Sequence, residues 1–334
     1  MALHAVLPFP EIEAISQKLR FFAAHKDEFD TLFIGSSRIY FQVSPAVFDD
    51  VTRGNGNPTH SFNFGIGGMH LPESAYVLEQ VLKTKPRHLR WVFMELGELQ
   101  IRWPHQVEGS RRALYWHDWR RTALVLRKIL DAGTRPIWLP NVKKLRDVIL
   151  TRKAHADTRT QLIFHAAQFE KSLANIARAS DIADYFLWRQ MNKHSADYLG
   201  PSGDGYVARA GGMSATQTAA YERALALVMT QNGGRCISPY TAEACRQSAE
   251  KIRGIGAVPI LLLPPSVTRL KADCSSSTQS LGIVMAFNDP RAYPNLYRSG
   301  VRRDEEHMTK TGAEEFTRLM AADFARLVQA GKIK

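Results

Sequence analysis

Thr31–Arg38 reads TLFIGSSR, a short β-prone run that stops at Gly35 and a pair of serines. Its apolar part reads as a short buried strand. His60–His70 (HSFNFGIGGMH) is again a strand running into glycines. A helix is predicted from Pro72 to Lys83, with proline near its start, and a third strand at Arg90–Leu96 (RWVFMEL). Strand, loop, helix and strand in units of about 30 residues predict βαβ crossovers.

Upstream, Ile12, Ile15, Leu19, Phe22 and Phe29 recur near helical spacing. Downstream the rhythm changes. Arg111–Ala196 is helical in pattern, Tyr198–Gly212 is a glycine-rich loop, and Ser214 caps a helix to Met229. The α/β rhythm then returns with a helix over Thr241–Gly254, a strand at Ala257–Pro265 (AVPILLLPP) and a closing helix over Gly312–Gln329. These elements predict an α/β domain over residues 30–110 and 240–330, a helical insertion over 111–239, and an N-terminal helix or anchor remnant over 1–29.

Lys and Arg number 44 against 32 Asp and Glu, a net charge of +12 that suits a polyanion or an anionic surface. Zinc-finger spacing, RNP-type strands and Arg-rich blocks are missing, so nucleic acid is not expected as a partner. No apolar run reaches about 18 residues, and Met1–Pro10 lacks the n- and h-regions of a signal peptide. An anchor or signal preceding the chain is expected. The cysteines are Cys236, Cys245 and Cys274, without CxxC. Cys236 and Cys245 flank a short loop and read either as a disulfide of an extracytoplasmic protein or as free thiols.

In doubly wound sheets, reactive groups sit at the carboxyl ends of strands. Gly35-Ser36-Ser37-Arg38 stands at one such end and Asn63-Phe64-Gly65-Ile66-Gly67-Gly68 at another. Asp304-Glu305-Glu306-His307 precedes the last helix. A serine nucleophile needs a base, and the base needs a carboxylate to fix its tautomer; Asp304 and His307 supply both from one turn. The bland alternatives are a simple turn at Gly35-Ser36-Ser37, an N-cap at Asp304 and a surface His307.

These three blocks, GSSR, NFGIGG and DEEHMTKTGAEEFT, together with LLLPPS at Leu261–Ser266, resemble the SGNH (GDSL-type) hydrolase superfamily. The nearer likeness is to its extracytoplasmic acyl-transfer branch, with the D-alanine transfer protein of teichoic-acid synthesis and the alginate O-acetylation proteins. The resemblance implies a three-layer α/β/α, flavodoxin-like fold with a parallel sheet. It implies Ser37 as nucleophile, His307 as general base and Asp304 as its orienting carboxylate, with the N–H groups of Ser37 and Gly68 lining an oxyanion hole. Ser36 is the alternative nucleophile. One position departs from the pattern: the third block's Gly-x-Asn-Asp is replaced by Glu95-Leu96-Gly97-Glu98, and loss of one oxyanion donor typically costs about 2.7–4 kcal/mol.

The expected function is therefore a serine O-acyltransferase or acyl esterase on a cell-envelope polysaccharide or glycolipid, facing outward from the cytoplasm. Its partners would be an acylated donor or polysaccharide acceptor and a membrane acyltransferase. The runner-up is a weakly catalytic polysaccharide-binding protein of the same fold. No cofactor is expected: Gly65-x-Gly67-Gly68 has the wrong spacing for a dinucleotide fingerprint, and His60, His70, His88, His105, His117, His155, His165 and His194 lack paired-ligand spacing. Trp103, Trp116, Trp119 and Trp188 read as packing residues or sugar-stacking rings. Arg38 reads as an anion ligand or as a salt bridge behind the turn. Arg111, Arg112, Arg120, Arg121, Arg127, Lys128, Arg298, Arg302 and Arg303 read as a basic substrate face or as solvated surface.

Overall fold

The computed structural model describes residues 12–101, 111–134, 144–173, 197–230, 234–272 and 281–333. Met1–Pro10, Trp103, His105, Trp188, His194, Cys274 and the side chains of Arg111 and His155, on which expectations fell, lie outside the described residues. The chain divides into two compact units, one of Glu13–Glu98 with Ser195–Lys334, the other of Met1–Ile12 with Leu99–His194.

The first unit is α/β. Its elements run α1 (Glu13–His25), β1 (Thr31–Gly35), α2 (Ser37–Tyr40), α3 (Pro45–Gly54), β2 (Ser61–Gly65), α4 (Glu73–Lys83) and β3 (Trp91–Glu95). Three helices of the other unit intervene: α5 (Arg111–Tyr115), α6 (Trp119–Thr134) and α7 (Lys144–Leu173). The α/β unit resumes with α8 (Ala215–Thr230), β4 (Arg235–Cys236), α9 (Pro239–Arg253), β5 (Val258–Leu263), β6 (Leu270–Lys271), β7 (Ile283–Ala286) and α10 (Lys310–Gln329).

β2-β1-β3-β5-β7 form one five-stranded sheet with every pairing parallel, and β4-β6 form a two-stranded ribbon. β1, β2 and β3 are buried at every position, the polar Ser61 and Asn63 of β2 included. Helix starts are set by side-chain caps, Ser44 on Val47, Ser238 on Thr241 and Thr309 on Gly312, with proline at the first turn of α3 and α9. Phe33, Phe48, Phe93, Phe316 and Phe324 pack a shared core, with ring pairs 4.8–5.5 Å apart. The sheet order reverses between β1 and β3, so this unit's topological switch point lies at their carboxyl ends.

The boundaries differ from the sequence expectation. The helical segment leaves the α/β unit at Leu99 rather than at 111 and returns at Ser195 rather than at 240. Hydrogen bonds explain the shift. The fully buried Lys18 of α1 donates to Asn63 O, Gly65 O and Gly205 O at 3.0, 2.8 and 2.6 Å, and the Asn63 N–H donates to Asp204 O at 2.8 Å. The buried Tyr221 of α8 donates to Tyr297 O at 2.7 Å. Residues 13–25, 197–212 and 215–230 are thus parts of the α/β unit.

Cys236 is disulfide-bonded, whereas Cys245 is a free thiol buried on the inner face of α9. The Cys236–Cys245 bridge therefore does not form. Within the second unit, His117 and His165 are buried side by side, Nε2 to Nδ1 at 2.9 Å, with Trp116 stacked on His117 at 3.6 Å. Trp116 is core and Trp119 is exposed, its ring tilted against Phe169.

Candidate active site

At the end of β1 the backbone must pass close to β3. A Cβ on Gly35 would stand 2.5 Å from Glu95 Cβ and from Ile39 Cγ1, so only glycine lets the turn close. Ser36 follows in extended conformation as the cap of α2, its hydroxyl accepting from Arg38 N at 3.2 Å. That hydroxyl also donates to Glu95 Oε1 at 3.0 Å, which turns Ser36 inward. Ser37 begins α2 and points the other way, to His307 Nε2 at 2.8 Å.

His307 is presented by a tight turn. The N–H groups of Arg303 and Asp304 donate to His307 O at 2.9 and 3.4 Å. Asp304 Oδ1 accepts from the N–H groups of Glu306 and His307, both at 2.8 Å, and the carboxylate meets His307 Nδ1 at 2.9–3.0 Å. A carboxylate accepts only, so Nδ1 carries the proton and Nε2 offers its lone pair to the Ser37 hydroxyl. Burial would raise the Asp304 carboxyl, but the His307 side chain and the turn's N–H groups outweigh it and bring it down to about 2. Thr309, not Asp304, caps α10, which leaves Asp304 committed to the imidazole. The His307 and Asp304 side chains are 28% and 49% exposed, so the pair is open to an incoming molecule.

The turns of Ser37 and His307 are tied together by residues between them. Arg38 pairs with Glu95 at 2.6 Å and with Glu306 at 3.0 Å, and Gln42 Nε2 donates to Glu306 O at 2.8 Å. Ser266, at the end of the LLLPPS strand, donates to the Glu306 carboxylate at 2.8 Å. Burial would raise the Glu95 carboxyl; Arg38 and the two Ser36 donors reverse this and hold it below the usual range. Arg38 is therefore the salt bridge behind the turn rather than a free anion ligand. A lone acid ending a fully buried strand was the signal for this network in the sequence.

Among the described residues the N–H groups of Ser37 and Gly68 have no hydrogen-bond partner, and Gly68 sits at φ +67 with open space where a Cβ would be. Asn63, by contrast, is fully spent: its amide donates to Ile39 O and Val43 O and accepts from Gly65 N. Several cations of the expected basic face are buried or paired. Arg302 is buried, donating to Pro265 O and Glu305 O, and Arg298 pairs with Glu315 at 2.9 Å. In the second unit Arg121 is buried against Asp118, and Lys128 is bound to Leu99 O. Among the described residues no cluster of His, Cys, Asp or Glu could hold a metal ion, and no helix is long and apolar enough to cross a membrane.

The sequence did not single out Lys18, Glu306 or the stack of Arg209 on Phe41, whose guanidinium lies 4.0 Å from the ring centroid. Compared with protein-family models, curated proteins and solved structures, the chain matches none.

Proposed function

We propose that the chain is an SGNH-type serine acyl esterase or O-acyltransferase that works through a Ser37 acyl-enzyme on a cell-envelope polysaccharide or glycolipid. The observation that carries the reading is the relay of Ser37 Oγ to His307 Nε2 at 2.8 Å and His307 Nδ1 to Asp304 at 2.9 Å, at the switch point of a parallel sheet.

In this reading Ser37 Oγ attacks the acyl carbonyl carbon while Nε2 takes its proton. The oxyanion is met by the N–H groups of Ser37 and Gly68. Collapse of the tetrahedral adduct breaks the ester C–O bond, and Nε2 returns the proton to the departing alcohol oxygen. Water or a sugar hydroxyl then attacks the acyl-Ser37, giving its proton to His307, and Ser37 is regenerated. Because Glu95-Leu96-Gly97-Glu98 lacks the oxyanion-donating Asn of the superfamily's third block, the site offers two N–H donors in place of three. The disulfide at Cys236 supports an extracytoplasmic setting. A membrane acyltransferase would be the donor-side partner.

The test is covalent labelling by a fluorophosphonate followed by peptide mapping. The adduct is expected on Ser37, to be absent in Ser37→Ala and to persist in Ser36→Ala. Absence of any adduct between pH 6 and 9 overturns the enzyme reading and leaves the polysaccharide-binding one.

A further inference from the structure

We infer that Arg209, seconded by Arg303, recognises an anionic group, a carboxylate or phosphate, carried by the substrate beside the reacting ester. This inference rests on the acyl chemistry proposed for Ser37 and adds the charge class of what that site takes.

Three observations converge. First, Arg209 is exposed yet placed: its guanidinium stacks on Phe41 at 4.0 Å, and the Phe41 ring meets the His307 imidazole edge-on at 6.3 Å. Phe41 thus stands between the cation and the proposed base. Second, the backbone bearing Arg209 is pinned on both sides. Val207 N donates to Tyr40 O at 3.4 Å, and Arg303 Nη1 donates to Ala210 O at 2.6 Å. Gly205 makes that course possible, since a Cβ there would lie 2.1 Å from Asn63 O.

Third, the charge is uncompensated. Among the described residues neither Arg209 nor Arg303 has a carboxylate partner. Two acids of the His307 turn are taken: Asp304 holds His307, and Glu306 holds Arg38 and Ser266; the third, Glu305, is exposed and pairs with neither arginine. A guanidinium stacked on an aromatic face keeps its N–H edge free for a bidentate acceptor, which is the geometry that carboxylate and phosphate demand. A solvated surface arginine needs neither an aromatic bed nor a pinned backbone.

The experiment measures fluorescence anisotropy of two labelled probes, oligogalacturonate for carboxylate and oligo(glycerol phosphate) for phosphate, with full-length protein at low salt. Wild type is expected to bind at least one of them. Arg209→Gln should weaken that binding about tenfold, the scale of a lost charge-assisted hydrogen bond. Arg209→Lys should retain part of it, and Arg223→Gln, which removes an exposed charge from α8, should change it less than twofold. The probe that binds identifies the anion's source. Failure of both probes, or equal losses in Arg209→Gln and Arg223→Gln, overturns the inference. Because the readout is binding, it stands apart from the labelling of Ser37: an unlabelled Ser37 with Arg209-dependent binding sinks the enzyme reading alone.

Discussion

Ser36 and Glu95 meet twice across the switch point: both the backbone N–H and the hydroxyl of Ser36 donate to the Glu95 carboxylate. The pair settles which of two adjacent serines faces His307. With Ser36 drawn inward to the end of β3, the first turn of α2 carries Ser37 outward.

Ser37→Ala should abolish hydrolysis of 4-nitrophenyl acetate and leave thermal unfolding nearly unchanged, because its hydroxyl makes one partly exposed bond. Ser36→Ala should remain active and lose about 1 kcal/mol of stability, the usual net worth of a buried hydrogen bond. Parallel rate and melting measurements decide it. A dead Ser36→Ala beside a live Ser37→Ala would put the nucleophile one residue earlier.

Glu95→Gln should destabilise the fold by about 3 kcal/mol, since it breaks a buried pair and leaves Arg38 short of its counter-charge. Arg38→Lys should not restore the bridge, because one ammonium cannot span Glu95 and Glu306 as the guanidinium does. Urea unfolding of both variants reads this directly. Losses under about 0.5 kcal/mol, the scale of an ordinary surface change, would demote the network to surface decoration.

Asp304→Asn should lower kcat by roughly 10³–10⁴, through the wrong imidazole tautomer at Nδ1. Asp304 titrates at about 2 in the folded chain, below its ordinary 3.8. Its contribution to stability is therefore complete above pH 3.8 and is lost only as pH falls through about 2. Any fall in activity between pH 8 and pH 5 has another origin. If the Asn variant kept wild-type kcat, the carboxylate would have no orienting role.

Lys18→Met removes the three bonds to Asn63, Gly65 and Gly205 and strands their carbonyls in the core. A loss of at least about 3 kcal/mol is expected, from unsatisfied buried acceptors at roughly 1–3 kcal/mol each. Hydrogen exchange should show the loosening at Phe62–Gly65 and Asp204–Val207 first. Uniform protection in the variant would argue against a clamp.

Burial, followed by the proximity of His165, pushes His117 down to about 3, and burial likewise lowers His165. Both pKa values lie below the unfolded 6.5, so the unfolded chain binds more protons between pH 6.5 and about 3 and stability falls on acidification through that window. The outer nitrogens of the two rings face Ala113 O and Ile101 O. Two neutral rings therefore hold two protons for three contacts. Fluorescence of Trp116, stacked on His117, should report earlier thermal unfolding at pH 5 than at pH 7.5, and His117→Phe should flatten that slope. A wild-type midpoint independent of pH would refute the assignment.

The parallel sheet was legible because β1 and β3 are short apolar runs ending in glycine or acid, and because strand, helix and strand recur at βαβ spacing through β2. Ser37, Asp304, His307 and Gly68 were legible as blocks of local sequence. What stayed hidden depends on pairs far apart in the chain. The Arg38–Glu306 bridge spans 268 residues, and the contact of Lys18 with Gly205 spans 187. Loop 197–212 and α8 look like more of the insertion because glycine-rich and weakly amphipathic stretches carry no sign of which unit they join. Only the burial of Tyr221 and the bonds of Asp204 and Gly205 assign them.

The parallel pairing of β3 with β5 carries a consequence for synthesis. Trp91–Glu95 occupies the middle of the finished sheet, yet its neighbour Val258–Leu263 emerges from the ribosome only after the whole helical unit. At about 5–20 residues per second, the nascent β1–β2–β3 sheet waits roughly 8–30 s with one apolar edge unpaired. An unpaired edge is a template for pairing with another chain. The helical unit thus sets a delay in the birth of the sheet, and slowed translation across residues 99–194 should show up as aggregated nascent chains well before it shows up as lost activity.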